Sequence, residues 1–129
     1  MVSLIHAYGS KARVHCHGRV GRVLDAIRST GADGIDPCEA PPDGDIELAE
    51  IKRRVGGTMT IFGNLQLKML ERSSPDEVRA YVRACMQDAK AGGRYVIMPT
   101  AAPINIPLAA QTEENYKVFI ETALTEGYY

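Results

Sequence analysis

An α/β fold of four successive βα units around a parallel sheet is predicted by three observations. Short β-rich runs recur along the chain, and each ends in glycine, proline or polar residues. A stretch with apolar residues at helical spacing follows each run. The last run, Tyr95-Val96-Ile97-Met98, is apolar throughout, as a strand covered on both faces should be.

Val2 to Tyr8 reads as a helical segment stopped by Gly9, which suits the left-handed position after a helix. Strand one is expected over Ala12 to His17, followed by a helix carrying Val20, Val23, Leu24 and Ile27 up to Gly31. Gly34 to Pro37 forms a short second strand, and the turn-forming run Cys38 to Asp45 leads from it. Asp45 is placed to cap the next helix, whose apolar stripe of Ile46, Leu48, Ala49, Ile51 and Val55 ends at Gly56-Gly57. Thr58 to Phe62 is the third strand, closed by Gly63-Asn64.

The clearest local signal follows at Ser74-Pro75-Asp76-Glu77. Ser74 is the N-cap, Pro75 takes the first helical position, and Glu77 closes a capping box. That helix runs through Val78, Tyr81, Val82, Cys85 and Met86 to Gly92-Gly93. Arg94 to Pro99 is the fourth strand. After the loop from Thr100 to Gln111, Thr112 is expected to cap a last helix with Tyr116, Phe119, Ile120 and Leu124 facing inward.

The 129 residues have room for one domain of ordinary size, and 45% hydrophobic with 24% charged residues is a globular composition. No apolar run approaches the roughly 20 residues of a membrane span, and the start lacks the features of a signal peptide. A cytoplasmic protein is expected. Three scattered cysteines, Cys16, Cys38 and Cys85, without a C-x-x-C pair read as reduced thiols. A net charge of −1 with no basic tract argues against nucleic acid and anionic membranes as partners, leaving a small molecule or another protein.

Function centres on Arg13-Val14-His15-Cys16-His17-Gly18-Arg19. Strand side chains alternate, so His15 and His17 should share a face while Cys16 points to the helices. Two imidazoles at one strand end could hold a metal, or could hydrogen-bond backbone or a substrate carboxylate. Asp36 and Glu39 follow the second strand, where α/β proteins carry catalytic carboxylates. Arg19, at the start of the first helix, could hold an anionic substrate group. Asn64 would satisfy loop amides beside Gly63.

Five pieces in order carry a resemblance: Val14-His15-Cys16-His17-Gly18, Thr30-Gly31-Ala32-Asp33-Gly34, Ile61-Phe62-Gly63-Asn64-Leu65, Ser74-Pro75-Asp76-Glu77-Val78 and Gly92-Gly93-Arg94-Tyr95-Val96-Ile97. The cap Thr112-Glu113-Glu114-Asn115 completes them. Together they resemble the C-terminal half of the uroporphyrinogen decarboxylase superfamily, which includes corrinoid and coenzyme M methyltransferases. The resemblance implies half of a TIM (β/α)8 barrel, a single domain over residues 1–129 holding strands five to eight. The sheet would then be completed by a second copy in a homodimer or by an N-terminal half.

For the methyltransferase branch the resemblance implies a zinc ion that activates a thiol or similar nucleophile for one-carbon transfer, with a corrinoid protein as a possible donor. His15 matches the family's ligand histidine, His17 stands at the first cysteine, Glu39 falls near the glutamate, and Thr100 or Ala101 replaces the last cysteine. His15, His17 and Glu39 would make a three-ligand set with an open position. The decarboxylase branch suggests a metal-free reading, decarboxylation of a carboxylated substrate held by Arg19 and the two histidines; Asp36 and Glu39 are the candidate catalytic carboxylates at the strand end, and Asn64 is a further candidate for binding substrate. The decarboxylases' arginine-rich motifs are not in this stretch, and Pro99-Thr100-Ala101 replaces their G-H-G. A third reading is a non-catalytic domain serving in assembly.

Overall fold

The computed structural model describes residues 1–128, so Tyr129 of the expected domain lies outside it. Its four strands are β1 (Arg13–Cys16), β2 (Gly34–Pro37), β3 (Thr60–Phe62) and β4 (Tyr95–Val96). They form one sheet in the order β1-β2-β3-β4, and every pairing is parallel. Each crossover carries helix: α2 (Leu24–Ser29), then α3 (Leu48–Val55), then α4 (Leu67–Arg72) with α5 (Pro75–Ala89). Helix α1 (Val2–Ala7) precedes the sheet and α6 (Ala110–Glu126) follows it. This is the predicted α/β half-barrel.

Alternation along the strands sorts the side chains into two sets. Val14, Cys16, Ile35, Ile61, Tyr95 and Ile97 join the core between sheet and helices, with Leu24, Ile51 and Val55 from α2 and α3. Fully burying a side chain such as Ile35 or Ile61 contributes about 1.5–3 kcal/mol. A second cluster of Leu65, Leu70, Val78, Val82, Val118 and Phe119 joins α4, α5 and α6. The other strand face carries Arg13 and His15, both exposed, and the half-buried Phe62.

Several boundaries differ from expectation. The first crossover is a single 3-10 turn over Val20–Arg22 before α2, so the regular helix starts at Leu24 and leaves Val23 exposed. Asp45 does not cap α3; its Oδ1 accepts from Gly21 N–H at 2.8 Å, and Glu47 takes the N-cap position. Helix α4 was not expected. It begins after Gln66 and supplies Leu70 to the second core cluster.

Because α6 packs against both α4 and α5, its buried face is rotated from the expected stripe. Thr112, Asn115, Val118, Phe119 and Thr122 are buried, whereas Ile120 and Leu124 are exposed. Asn115 Nδ2 donates to the carbonyls of Leu70 and Ser73 at 3.0 and 2.8 Å, tying the end of α4 to α6. Helix α6 starts at Ala110 with Ala109 as N-cap, so Thr112 lies inside it. The capping box at Ser74 and Glu77 forms as predicted.

Strand β4 is two residues long, shorter than expected, but its line continues. Leu65 pairs with Pro99 in a parallel bridge, and Leu65 N–H donates to Met98 O at 3.1 Å. Gly63 interrupts the ladder where it passes over Pro37. A Cβ there would lie 2.1 Å from Pro37 O, and the backbone φ of 143° is one that residues with side chains rarely adopt.

Candidate active site

The site is built from the carboxyl ends of β1 and β2. Register places His15 opposite Asp36 on the neighbouring strand, with both side chains toward the open face. His15 Nδ1 lies 2.7 Å from Asp36 Oδ2. A carboxylate with this geometry accepts, so the proton sits on Nδ1 and Nε2 is left as the reactive nitrogen. The shared face expected of His15 and His17 is observed: their ring centroids are 4.7 Å apart in an edge-to-face arrangement.

Glu39 serves the second imidazole. Its Oε1 is 3.1 Å from His17 Nδ1, and its Oε2 accepts from the Gly18 amide at 2.6 Å. Each histidine is thus backed by one carboxylate from the following βα unit. Asp36 is only 2% exposed although it carries a charge, a placement that demands compensation.

The loops at this rim are joined to one another. Besides the bonds from Gly18 to Glu39 and from Gly21 to Asp45, Gln66 Nε2 donates to Ala40 O at 3.2 Å, and Lys68 pairs with Asp43 at 2.6 Å. Gly44 is required inside this arrangement, since a Cβ would stand 1.8 Å from Glu39 O. A cavity of about 330 Å³ opens beside the first pair, lined by His15, Asp36, Met98, Pro99, Thr100 and Ala102. Thr100 is also fixed, its Oγ1 accepting from the Leu67 amide at 3.3 Å.

The other expected site residues fall elsewhere. Arg19 is exposed and makes no hydrogen bond or ion pair among the described residues, but the 3-10 turn separates it from the first turn of α2. Arg19 stands at the N-cap of that 3-10 turn rather than at the start of α2. Asn64 is buried on the helix side, where its Oδ1 accepts from Cys85 Sγ at 3.5 Å. It supports the β3 rim from behind and does not face the cavity.

Cys38 is buried with φ of 59°, and loss of solvent together with the Asp36 charge pushes its thiol up to about 12. Burial likewise pushes Cys85 up to about 12. Both are protonated core thiols. Sequence reasoning passed over Arg13, although its position two residues before His15 sets it on the same face. Its Nε lies 3.2 Å from Asp36 Oδ1, and its guanidinium stands 4.8 Å from the centre of the Phe62 ring.

The three residues expected as zinc ligands do not fit that set as placed. Both Glu39 oxygens are engaged with His17 and Gly18, and among the described residues no group of three His, Cys, Asp or Glu is disposed to hold a metal ion. What the site does present is two carboxylate-backed imidazoles on one face, able to move protons through Nε2.

Parallel strands whose chemistry gathers at their carboxyl ends define the half-site of a (β/α)8-barrel protein. The chain matches the family model described as uroporphyrinogen decarboxylase (URO-D) over residues 1–124, and it belongs to that family. The uroporphyrinogen decarboxylase of Pseudoalteromonas translucida (strain TAC 125) is 32% identical over 76 residues, which make up 59% of this chain and 20% of that protein. A methyltransferase from Methanosarcina mazei shares the fold, with a TM-score of 0.71 at 18% identity over 95% of this chain and 33% of its own. The chain thus spans a third or less of each of these relatives. No helix among the described residues is long and apolar enough to cross a membrane.

Proposed function

We propose that this chain supplies the acid–base half of a URO-D-family active site, and that His15 backed by Asp36 delivers a proton during metal-free decarboxylation of a carboxylated small molecule. The observation that carries the reading is the 2.7 Å contact from His15 Nδ1 to Asp36, which leaves Nε2 unengaged by that carboxylate in a residue that lines the cavity. In this step the bond between carbon and carboxylate breaks and CO2 leaves. The electron pair remains on the substrate carbon, and the Nε2 proton of the imidazolium fills that position. Asp36 stabilises the imidazolium beforehand, and solvent reloads it afterwards. Arg19, without a hydrogen-bond or ion-pair partner among the described residues, would hold a second anionic group of the substrate. Four further strands, from a longer polypeptide or a second copy in a homodimer, would complete the sheet beyond the open edges of β1 and β4.

A second reading, metal-assisted methyl transfer to a thiol, is favoured by one feature: a carboxylate behind each ring is the support that metal-bound histidines have. Zinc would then need ligands from the completing half. The deciding experiment measures CO2 release from uroporphyrinogen and from simpler arylacetic acids, with metal content determined on the same protein. Release that survives chelation and disappears in His15→Gln supports the proposal. Stoichiometric zinc, lost in His15→Ala and His17→Ala, would overturn it in favour of methyl transfer. A closed assembly with neither activity nor zinc would make the chain a non-catalytic module.

A further inference from the structure

We propose that Arg13 is a positioning residue for the His15–Asp36 pair: it anchors the buried carboxylate so that the His15 proton stays on Nδ1 and Nε2 faces substrate. The inference deepens the acid–base reading of the site and rests on it.

Four observations build the case. Asp36 is almost fully buried, and its two oxygens have unequal partners: Oδ2 meets His15 Nδ1, while Oδ1 makes no hydrogen bond of good geometry among the described residues. Among the described residues, the opposite charge at Oδ1 is Arg13 Nε at 3.2 Å, off the hydrogen-bond line but in ion-pair range. A buried carboxylate left without that charge would be strongly disfavoured. Arg13 therefore supplies the compensation that the backbone does not.

Arg13 is itself held in place. Register sets it opposite Gly34 on β2, a position with no side chain. The gap is taken by Phe62 from β3: a Cβ at Gly34 would come within 2.9 Å of the Phe62 ring. That ring is the surface on which the guanidinium rests, at 4.8 Å from its centre. Gly34, Phe62 and Arg13 thus form a bracket spanning three strands, and the bracket ends on the carboxylate that orients His15.

The bracket has a chemical consequence. A free histidine side chain in its neutral form prefers its proton on Nε2, whereas a site in which Nε2 gives up a proton and is then reloaded needs the neutral ring to keep its proton on Nδ1. A carboxylate fixed at Nδ1 reverses the preference, and it does so only while it stays fixed and charged. Arg13 and His15, two residues apart on β1, grip Asp36 from either side. His17 has a separate carboxylate in Glu39 and does not share this dependence.

The test is nitrogen-15 NMR of the histidine rings in the intact chain, at a pH where they are neutral, which needs neither substrate nor activity. In the wild type, His15 should be protonated on Nδ1. Arg13→Met should lower the ratio of the Nδ1–H to the Nε2–H form by about tenfold, as expected for loss of one charge-assisted contact. Arg13→Lys should restore part of it, and the His17 signals should stay put. Should Arg13→Met fail to fold, Phe62→Leu keeps the charge, loosens the bracket and should shift the ratio in the same direction by a smaller factor. An unchanged His15 tautomer in Arg13→Met, or in Phe62→Leu where that is the variant that folds, overturns the role of Arg13 alone. A wild-type ring already protonated on Nε2 overturns the His15–Asp36 reading beneath it.

Discussion

Replacing Gly44 by alanine should damage the site from a distance. Gly44 lies in the loop between β2 and α3, and its added methyl would stand 1.8 Å from Glu39 O, where ordinary contact begins near 3.4 Å. One of the two must therefore retreat by about 1.6 Å. The Gly44 amide is bonded to Ala40 O at 3.0 Å, so the displacement falls on the segment carrying Glu39. A bond of 2.6 Å from Gly18 N–H to Glu39 Oε2 does not survive such a shift, and the contact from His17 goes with it. Losing these two hydrogen bonds to a partly exposed carboxylate costs about 2–4 kcal/mol. Urea denaturation of wild type and variant measures this directly, and the Gly18 amide should lose its protection from hydrogen exchange. A stability change under about 0.5 kcal/mol with Gly18 still protected would refute the reasoning.

Asp36→Asn should retain the fold but present an amide donor to either Arg13 or His15; in a completed, active enzyme, turnover should fall by about 10³–10⁴, as for a catalytic histidine held in the wrong tautomer. Native protein should react with iodoacetamide at Cys16 alone, because Cys38 and Cys85 are buried thiols pushed up to about 12, whereas all three should react in urea, as counted by mass spectrometry. Asp33 is held well below the usual carboxylate range, first by the Ala12 amide and then by His6 and Lys11. A lowered folded-state value means that its contribution is present above about pH 4 and fades as the pH falls further, so Asp33→Asn should flatten the acid limb of the stability curve.

The parts of the fold written in short-range pattern were legible. The four strands lie where β-rich runs end in turn formers, and the Ser74–Glu77 box marks the start of α5 to the residue. Period-two alternation was enough to put His15 and His17 on one face and Cys16 on the other. What escaped depends on neighbours that no local pattern names. Asp45 has the chemistry of a helix cap, yet Gly21 from another loop claims it. The stripe on α6 was misread because α6 packs against both α5 and the short α4, which shows no period of its own, and polar Asn115 is buried there to hold two carbonyls. Glu39 was recognised as a site residue, but sequence spacing cannot show that His17 and the Gly18 amide take its two oxygens. Arg13 was missed because a strand-face arginine gains meaning only when Gly34 and Phe62 are seen to cradle it.

The bonds that run from loop to loop along the carboxyl rim have a consequence for how this surface can change. Barrel enzymes acquire new specificities by lengthening one connection while its neighbours stay as they are. Here Glu39, Asp45, Gln66 and Lys68 each grip a neighbouring segment, so an insertion at one point propagates to the next and substitutions in separate connections should combine non-additively. Diversification of this rim would have to begin after β4, where the side chains of Ile104 and Ile106 are almost fully exposed.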